Sequence, residues 1–256
     1  MDPVVCDERT DAGPAAVTAA QLRETGTALM PPQDLTRSLG VGPHGWTRFA
    51  RHWEHLALDP YAAELGVTRL RRYGRYAFRD GRVSRLPNRM FAQPEDSNPL
   101  YINRTRDFAP LTDTFARDPL LHKIIKLLGG LASGLEEVSD WNVNVHPFRI
   151  QSVADADGRP TPEGMHRDGV TLVSSLLVRR RNATGGESTV CDLSGRQLLT
   201  VTLADSGTLL VGDDRRTLHG VSAIRPIDGS GPAQRDVLVI TFVSRRHDGP
   251  RVSLPR

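Results

Sequence analysis

The chain contains 256 residues, of which 38% are hydrophobic and 25% are charged, and its formal net charge is +3 at pH 7. This composition is typical of a globular protein with a substantial core, and no apolar run approaches the ~20 residues that a helix needs to cross a bilayer. The two cysteines, Cys6 and Cys191, lie far apart, and the first ten residues hold no apolar stretch typical of a secretory signal. These features exclude a disulfide scaffold and predict a cytoplasmic location without membrane association.

The first half of the chain predicts a support region of helices and one hairpin. Residues 1–14 are small or charged and show no periodicity, which is typical of a disordered tail. Residues 15–256 are expected to form one domain, in which 15–140 support a β core at 141–245. The first helix is expected over residues 15–29, because two prolines follow directly.

A second helix is indicated by apolar residues at helical spacing, including Trp46, Phe49 and Trp53. This helix carries His52 and Glu54, whose spacing imitates a pair of metal ligands. Residues two apart on a helix point about 200° apart around its axis and cannot share a metal. We therefore interpret this pair as a decoy.

A hairpin and a buried helix complete the support region. Residues 68–78 predict a strand, which pairs through a tight turn with residues 82–86. Aliphatic residues over 120–128 predict a buried helix that ends at the glycine pair 129–130. The arginine-rich segment 69–89 is a candidate phosphate-binding face, although a hairpin would place its arginines on both sides.

After Trp141 the pattern changes to short β-branched and aliphatic segments separated by turn residues. The predicted strands are approximately 141–153, 164–168, 170–180, 187–191, 198–203, 207–212, 216–224 and 235–244. About eight short strands without intervening helices are typical of a jelly-roll. The fold is therefore expected to be mainly β with N-terminal helices: a double-stranded β-helix, or cupin-like barrel, flanked by helices.

One short motif could bind a metal ion. His166 and Asp168 are two residues apart, so in extended backbone they point to the same face. With His219 they would supply the two histidines and one carboxylate of a non-heme iron site. Each residue also has an ordinary alternative, as a surface histidine, a turn residue or a core histidine. Their order along the barrel strands favours the metal site.

A buried arginine could bind one carboxylate of a dicarboxylate cosubstrate. Arg235 begins the last predicted strand, and alternation places it on the inward face with Val237, Val239 and Thr241. A guanidinium inside an apolar barrel needs an anionic partner, and a bidentate carboxylate is the natural one. Arg225 is the alternative, but it precedes a proline in a turn.

These motifs together resemble the bacterial iron(II)- and 2-oxoglutarate-dependent dioxygenases typified by L-isoleucine hydroxylase. The resemblance covers residues 46–245. The matching segments are Trp53 with Asp59-Pro60-Tyr61, the run Arg69 to Tyr73, Phe91-Ala92-Gln93-Pro94 with Asn98, Pro162 to Gly169, Arg181-Asn182, Gly185 to Ser188, His219-Gly220-Val221 and Arg235-Asp236. The resemblance implies iron(II) held by His166, Asp168 and His219, with 2-oxoglutarate bound through Arg235.

The resemblance also implies an activity, which is the hydroxylation of an unactivated C–H bond of a small molecule. The expected substrate is a free L-amino acid or an amino-acid-derived precursor, with dioxygen as oxidant and ascorbate as a useful additive in vitro. Because Asp168 occupies its ligand position, hydroxylation is favoured over halogenation. Arg149 and Gln151 on the first barrel strand, and Glu163 beside the ligand pair, are candidate partners for the substrate's carboxylate and ammonium groups.

Two other functions remain as alternatives at this level. A nucleic-acid demethylase of the same fold would use the arginine-rich segment 69–89 and bind single strands in a salt-sensitive way. A non-catalytic β-barrel sensor would bind its ligand and retain its iron content without His166. The sequence leaves open whether the chain forms a homodimer.

Overall fold

The computed structural model describes residues 12–64, 66–89, 106–152 and 157–245. Its helices are α1 (Pro14–Thr25), α2 (Pro32–Leu39), α3 (Pro43–Ala50), a 3₁₀ helix (Arg51–His55), α4 (Pro60–Ala63), α5 (Asp113–Ala116) and α6 (Pro119–Leu135). The family-like segment Phe91–Pro94 and Asn98 lie outside the described residues, as do residues 1–11 of the predicted tail. No helix among the described residues is long and apolar enough to span a membrane.

The first helix is shorter than the sequence predicted. It ends at Gly26, whose left-handed backbone (φ 81°) donates its N–H to the carbonyl of Leu22. Thr27–Met30 then forms strand β1, which pairs with a strand of the main sheet. The expected continuation of the helix to residue 29 was therefore wrong, because pairing along a sheet edge outweighed helical propensity.

Helix α6 continues through the two glycines that were expected to end it. A Cβ atom at Gly129 would collide with the ring of Phe78 on the adjacent hairpin. The glycine therefore lets the helix lie close against the hairpin instead of ending the helix. Tertiary packing, which the local sequence does not show, explains why that prediction was wrong.

The strands form one large sheet and two small ones. They are β1 (Thr27–Met30), β2 (Ala57–Leu58), β3 (Arg69–Arg71), β4 (Gly74–Arg79), β5 (Arg82–Leu86), β6 (Asp140–Ser152), β7 (Leu172–Arg181), β8 (Ala183–Gly185), β9 (Glu187–Asp192), β10 (Gln197–Thr202), β11 (Leu209–Asp213), β12 (Thr217–Val221), β13 (Ile224–Pro226) and β14 (Ala233–Ser244). Over the described residues, the large sheet has the order β1-β11-β7-β14-β6-β3-β2, and the hairpin β4–β5 also joins β6. The smaller sheets are β10-β9-β12 and β13-β8. The mainly β jelly-roll with N-terminal helices that the sequence predicted is confirmed.

Alternation along β14 separates the two faces of the large sheet. Leu238, Ile240 and Phe242 pack in the main hydrophobic core together with the helices on the outer face. Val237 and Val239 point to the opposite, inner face and pack with residues such as Ile224 of the small sheet. The inner face therefore carries a second, smaller apolar cluster around the barrel interior.

Two predicted strands differ in the structure. Residues 164–168 do not form a strand, and His166 makes only an isolated antiparallel bridge with His219. The segment 68–78 is divided into β3 and β4, which contact different parts of β6. The chain therefore reaches the predicted metal ligands through a loop that isolated bridges attach at Gly158 and His166.

Candidate metal and cosubstrate site

The three predicted metal ligands come together at one point of the barrel. One ligand atom from each of His166, Asp168 and His219 lies within 4.8 Å of the other two. The Nε2 atom of His219 is 3.6 Å from Oδ2 of Asp168, and the two imidazole centroids are 4.4 Å apart. Two bonds between the backbones of His166 and His219, of 3.0 and 2.9 Å, set the rings side by side. Two imidazoles and one carboxylate are a donor set that suits non-heme iron(II).

The hydrogen bond of His166 determines which nitrogen is available to a metal. Its Nδ1 lies 3.0 Å from the carbonyl oxygen of Gly164, so this nitrogen carries the proton and donates it. Nε2 is then left with a lone pair that is available to a metal. A backbone carbonyl that orients a histidine in this way is a common feature of metal sites. Glu163 also borders the site, with Oε1 3.5 Å from that Nε2 atom.

His219 is held as a neutral imidazole. Burial disfavours its charged form and lowers its pKa to about 4, although the adjacent carboxylate of Asp168 acts in the opposite direction. Its Nδ1 atom is buried without a hydrogen-bond partner, and the nearest carboxylate oxygen, Oδ1 of Asp214, lies 3.7 Å away. A neutral ring is the form that binds a metal.

Asp214 is a site residue that the sequence analysis missed. Its carboxylate accepts hydrogen bonds from the backbone N–H groups of Asp168 and Val170, at 3.1 and 3.0 Å. Burial, followed by the negative charge of Asp168, raises the pKa of Asp214 to about 6. Asp214 thus connects the loop of the first two ligands with the strand of the third. In the sequence it appears only as half of an Asp-Asp turn, so no local signal distinguishes it.

Arg235 lies where the alternation of β14 predicted, on the inner face of the large sheet. Its side chain is only 2% exposed, and its Nε and Nη2 atoms are buried without hydrogen-bond partners. Burial, with a smaller effect of nearby Arg180, lowers the pKa of Arg235 to about 10. A buried guanidinium with unpaired donors fits the distal carboxylate of 2-oxoglutarate.

A second arginine adjoins this position. Arg180 pairs with Arg235 across the sheet, and its Nη1 atom is also buried without a partner. Its Nη2 atom donates to the carbonyl oxygens of Ala183 and Gly185. The alternative anchor, Arg225, instead lies on the surface and forms a 2.6 Å hydrogen bond with Asp157. The side chain of Arg225 is 69% exposed, so it is not a buried anchor like Arg235.

Two of the three candidate substrate residues lie on the other side of the sheet. Arg149 lies opposite Asp236 on the neighbouring strand and donates hydrogen bonds of 2.7 and 2.9 Å to its carboxylate. Arg149 also forms an ion pair with Glu54. The expectation that Arg149 faces the barrel mouth is therefore corrected, because its charge is already paired on the opposite face. Gln151 shares that face by alternation. Of the three, Glu163 is the one that borders the metal ligands.

Comparisons with known proteins agree with this donor set. Residues 50–241 match the family model described as 2OG-Fe dioxygenase. A 3(1)-hydroxy-L-isoleucine 4-dioxygenase from Pantoea ananatis is 28% identical over 199 residues, which are 74% of this chain and 77% of that protein.

Solved structures show the same fold. A bsmA homolog from Methylobium petroleophilum is 31% identical, with a TM-score of 0.81 over 90% of this chain and 93% of its own. The protein named IDO from Bacillus thuringiensis is 17% identical, with a TM-score of 0.73 over 90% of this chain and 95% of its own. The chain therefore belongs to the 2OG-Fe dioxygenase family and is an enzyme that uses iron(II), 2-oxoglutarate and dioxygen.

Proposed function

We propose that this enzyme hydroxylates a free L-amino acid or a close derivative of one. The proposed substrate class rests on one similarity. About three quarters of the chain resembles a protein that is named as a dioxygenase of a hydroxylated L-isoleucine. The inner apolar cluster is consistent with an aliphatic side chain near the reacting centre. Its members are Phe148, Ile150, Ala183, Ile224, Ala233, Val237 and Val239.

In this proposal His166, Asp168 and His219 hold the iron. Three protein ligands leave three positions on an octahedral metal for the cosubstrate and dioxygen. When bound, iron(II) and 2-oxoglutarate supply the oxidising chemistry that inserts one oxygen atom into a C–H bond and releases succinate and carbon dioxide. The neutral state of His219 and the Nδ1–H bond of His166 support this assignment.

Arg235 binds the distal carboxylate of 2-oxoglutarate in this proposal. The support is its position on the inner face, its nearly complete burial and its two unpaired nitrogen atoms. Pairing with a carboxylate would satisfy these donors and offset the cost of the buried charge. Arg225 lacks these properties because Asp157 already neutralises it at the surface.

Glu163 is the candidate partner of the substrate's ammonium group. Its side chain is 11% exposed, and its carboxylate lies beside Nε2 of His166. An ammonium ion that pairs with Glu163 would place the substrate next to the metal ligands. The role of Gln151 stays a prediction.

The nucleic-acid alternative gains no support from the first two arginines of the segment 69–89, although Arg79, Arg82, Arg85 and Arg89 are exposed. Arg69 and Arg71 are buried inside the protein and cannot reach a phosphate backbone. The sensor alternative conflicts with the family match, which makes the chain an enzyme.

The test is a screen of the twenty standard amino acids and of their hydroxylated derivatives with iron(II), 2-oxoglutarate and ascorbate. We expect one or a few aliphatic amino acids to gain one oxygen atom by mass spectrometry, with an equal amount of succinate. His166→Ala is expected to lose bound iron and at least 100-fold in activity, whereas His44→Ala, at an exposed histidine, should retain both. No oxidised amino acid in the screen would refute the substrate class, and unchanged iron content in His166→Ala would refute the ligand assignment.

A further inference from the structure

A second pair of buried arginines lies on the same inner face as Arg235. Strand β3 pairs with β6, so that Arg69 is opposite Ile150 and Arg71 is opposite Phe148. Ile150 is in turn opposite Arg235 on β14. Because directly opposed residues point to the same side of a sheet, both β3 arginines project to the barrel interior.

Arg71 is buried with an incomplete set of partners. Its side chain is 4% exposed, and its Nη2 atom lies 2.6 Å from Nδ1 of His146. Its Nε atom is buried without a hydrogen-bond partner. The guanidinium also stacks on aromatic rings, 3.6 Å from the centroid of Phe108 and 4.5 Å from that of Phe148. The rings fix the plane of the guanidinium while one donor remains unused.

Neighbouring charges do not neutralise Arg71. The buried carboxylate of Asp59 accepts two 2.8 Å contacts from Arg69, whereas its distance to Nη1 of Arg71 is 3.8 Å. Burial, and next the positive charge of Arg69, hold the pKa of Arg71 well below its usual range. Burial and the nearby arginines also lower the pKa of His146 well below its usual range, so the imidazole is a neutral acceptor. The two guanidinium groups of Arg69 and Arg71 thus share the single negative charge of Asp59, and one positive charge is not neutralised by it.

Arg71 and Arg235 occupy different positions on the inner face. Arg71 is opposite Phe148 on β6 and reaches His146, which is opposite Val239 on β14. Arg235 is opposite Ile150, and its Cδ atom lies near Gly186. Each guanidinium is buried with an unused donor, so each is a separate candidate partner for an anion.

We propose that Arg71 is the substrate-binding residue that takes the α-carboxylate of the amino acid, in a subsite built with Arg69, Asp59 and His146. This inference rests on the proposed function for the identity of the substrate, but the carboxylate subsite itself does not depend on it. Arg69 and Asp59 fix the base of the subsite, and His146 orients Arg71. The aliphatic part of the substrate then lies along Phe148 and the inner apolar cluster.

The test measures binding separately from turnover. Wild type, Arg71→Met, Arg71→Lys and the control Arg82→Met, which removes an exposed arginine of the hairpin, are loaded with Mn(II) and 2-oxoglutarate. Each is titrated by calorimetry with L-isoleucine, L-isoleucinamide, 3-methylpentanoate and 3-methylpentanamide. Circular dichroism and the thermal midpoint establish that every variant is folded.

We expect wild type and Arg82→Met to bind each carboxylate more tightly than its amide. Arg71→Met should bind the carboxylates about 10- to 100-fold more weakly, with amide and 2-oxoglutarate affinities unchanged. Arg71→Lys should recover part of the lost carboxylate affinity, because lysine restores the positive charge but not the two parallel donors of a guanidinium.

Three outcomes overturn the proposal: wild type without a carboxylate preference, a preference that survives in Arg71→Met, or a loss of 2-oxoglutarate affinity in Arg71→Met. An Arg71-dependent preference for 3-methylpentanoate, in an enzyme that oxidises none of the screened amino acids and derivatives, supports the subsite and refutes the proposed substrate class.

Discussion

Replacing Arg235 with methionine should stabilise the ligand-free protein while weakening cosubstrate binding. Burial lowers the pKa of Arg235 to about 10, and each pKa unit below the ordinary value corresponds to about 1.4 kcal/mol. The buried charge therefore costs the ligand-free fold about 3 kcal/mol. Because the unfolded chain holds this proton more tightly, the cost is complete at neutral pH and is relieved only as the pH rises past about 10.

The same substitution removes the partner of the distal carboxylate. A charge-assisted hydrogen bond contributes about 1.5–3 kcal/mol, which corresponds to an affinity loss of about 10- to 150-fold. Methionine has nearly the length of the aliphatic part of arginine, so it fills the space beside Gly186 without a charge. Stability and affinity should thus move in opposite directions.

Thermal unfolding and calorimetry of the Mn(II)-loaded protein measure both effects. In wild type, 2-oxoglutarate at 100 times its dissociation constant adds about 2.7 kcal/mol, which for a chain of this size raises the midpoint by about 5–10 °C. Arg235→Met should begin from a higher midpoint and show little shift at the same concentration. The control Arg225→Met should respond like wild type, because that exposed arginine pairs only with Asp157 in the described structure. Lower ligand-free stability together with wild-type cosubstrate affinity in Arg235→Met would refute the reasoning.

Three further substitutions test other parts of the structure. Asp214→Asn should weaken iron binding about 10- to 100-fold by metal titration, because the carboxylate that orders the ligand loop is lost; unchanged affinity would contradict this. Gly129→Ala should cost about 1–3 kcal/mol in urea unfolding through its collision with Phe78, and a neutral effect would show that the helix can shift. Arg149→Met should cost about 1–2 kcal/mol, because the buried Asp236 loses one of its two arginine partners and keeps Arg179, with the substrate KM unchanged; a raised KM with normal stability would restore Arg149 as a substrate residue.

The structure also shows that His52 and Glu54, whose spacing imitates the His166–Asp168 pair, have separate partners. His52 on the 3₁₀ helix bonds to Asp118 at 2.9 Å and stacks on Phe115 at 4.3 Å between centroids. Glu54, two residues later, instead contacts Arg149 and Arg179. The helical geometry that separates His52 from Glu54 was predictable from spacing alone, and the interpretation of this pair as a decoy agrees with their separate partners.

Local patterns alone were sufficient for most of the long barrel strands and for the inner position of Arg235, but not for the loop 164–168. Alternation along β14 depends only on the pleat of a strand, so the inward Arg235 and the outward Phe242 follow from order in the sequence. The spacing of His166 and Asp168 is also a local pattern, but by itself it predicted only a weak candidate ligand pair, which needed His219 to indicate a metal site. These features are local, and each arises from backbone geometry within a few residues.

The tertiary structure decided what depends on contacts between distant segments. Arg149 and Arg235 look alike in sequence as arginines on barrel strands, yet Asp236 neutralises one and leaves the other without a carboxylate partner. Asp214 acquires its importance because its carboxylate bonds to the distant ligand loop, and Arg71 because strand pairing places it on the inner face. The cost of a buried charge depends on every group around it, and a linear pattern does not contain that information.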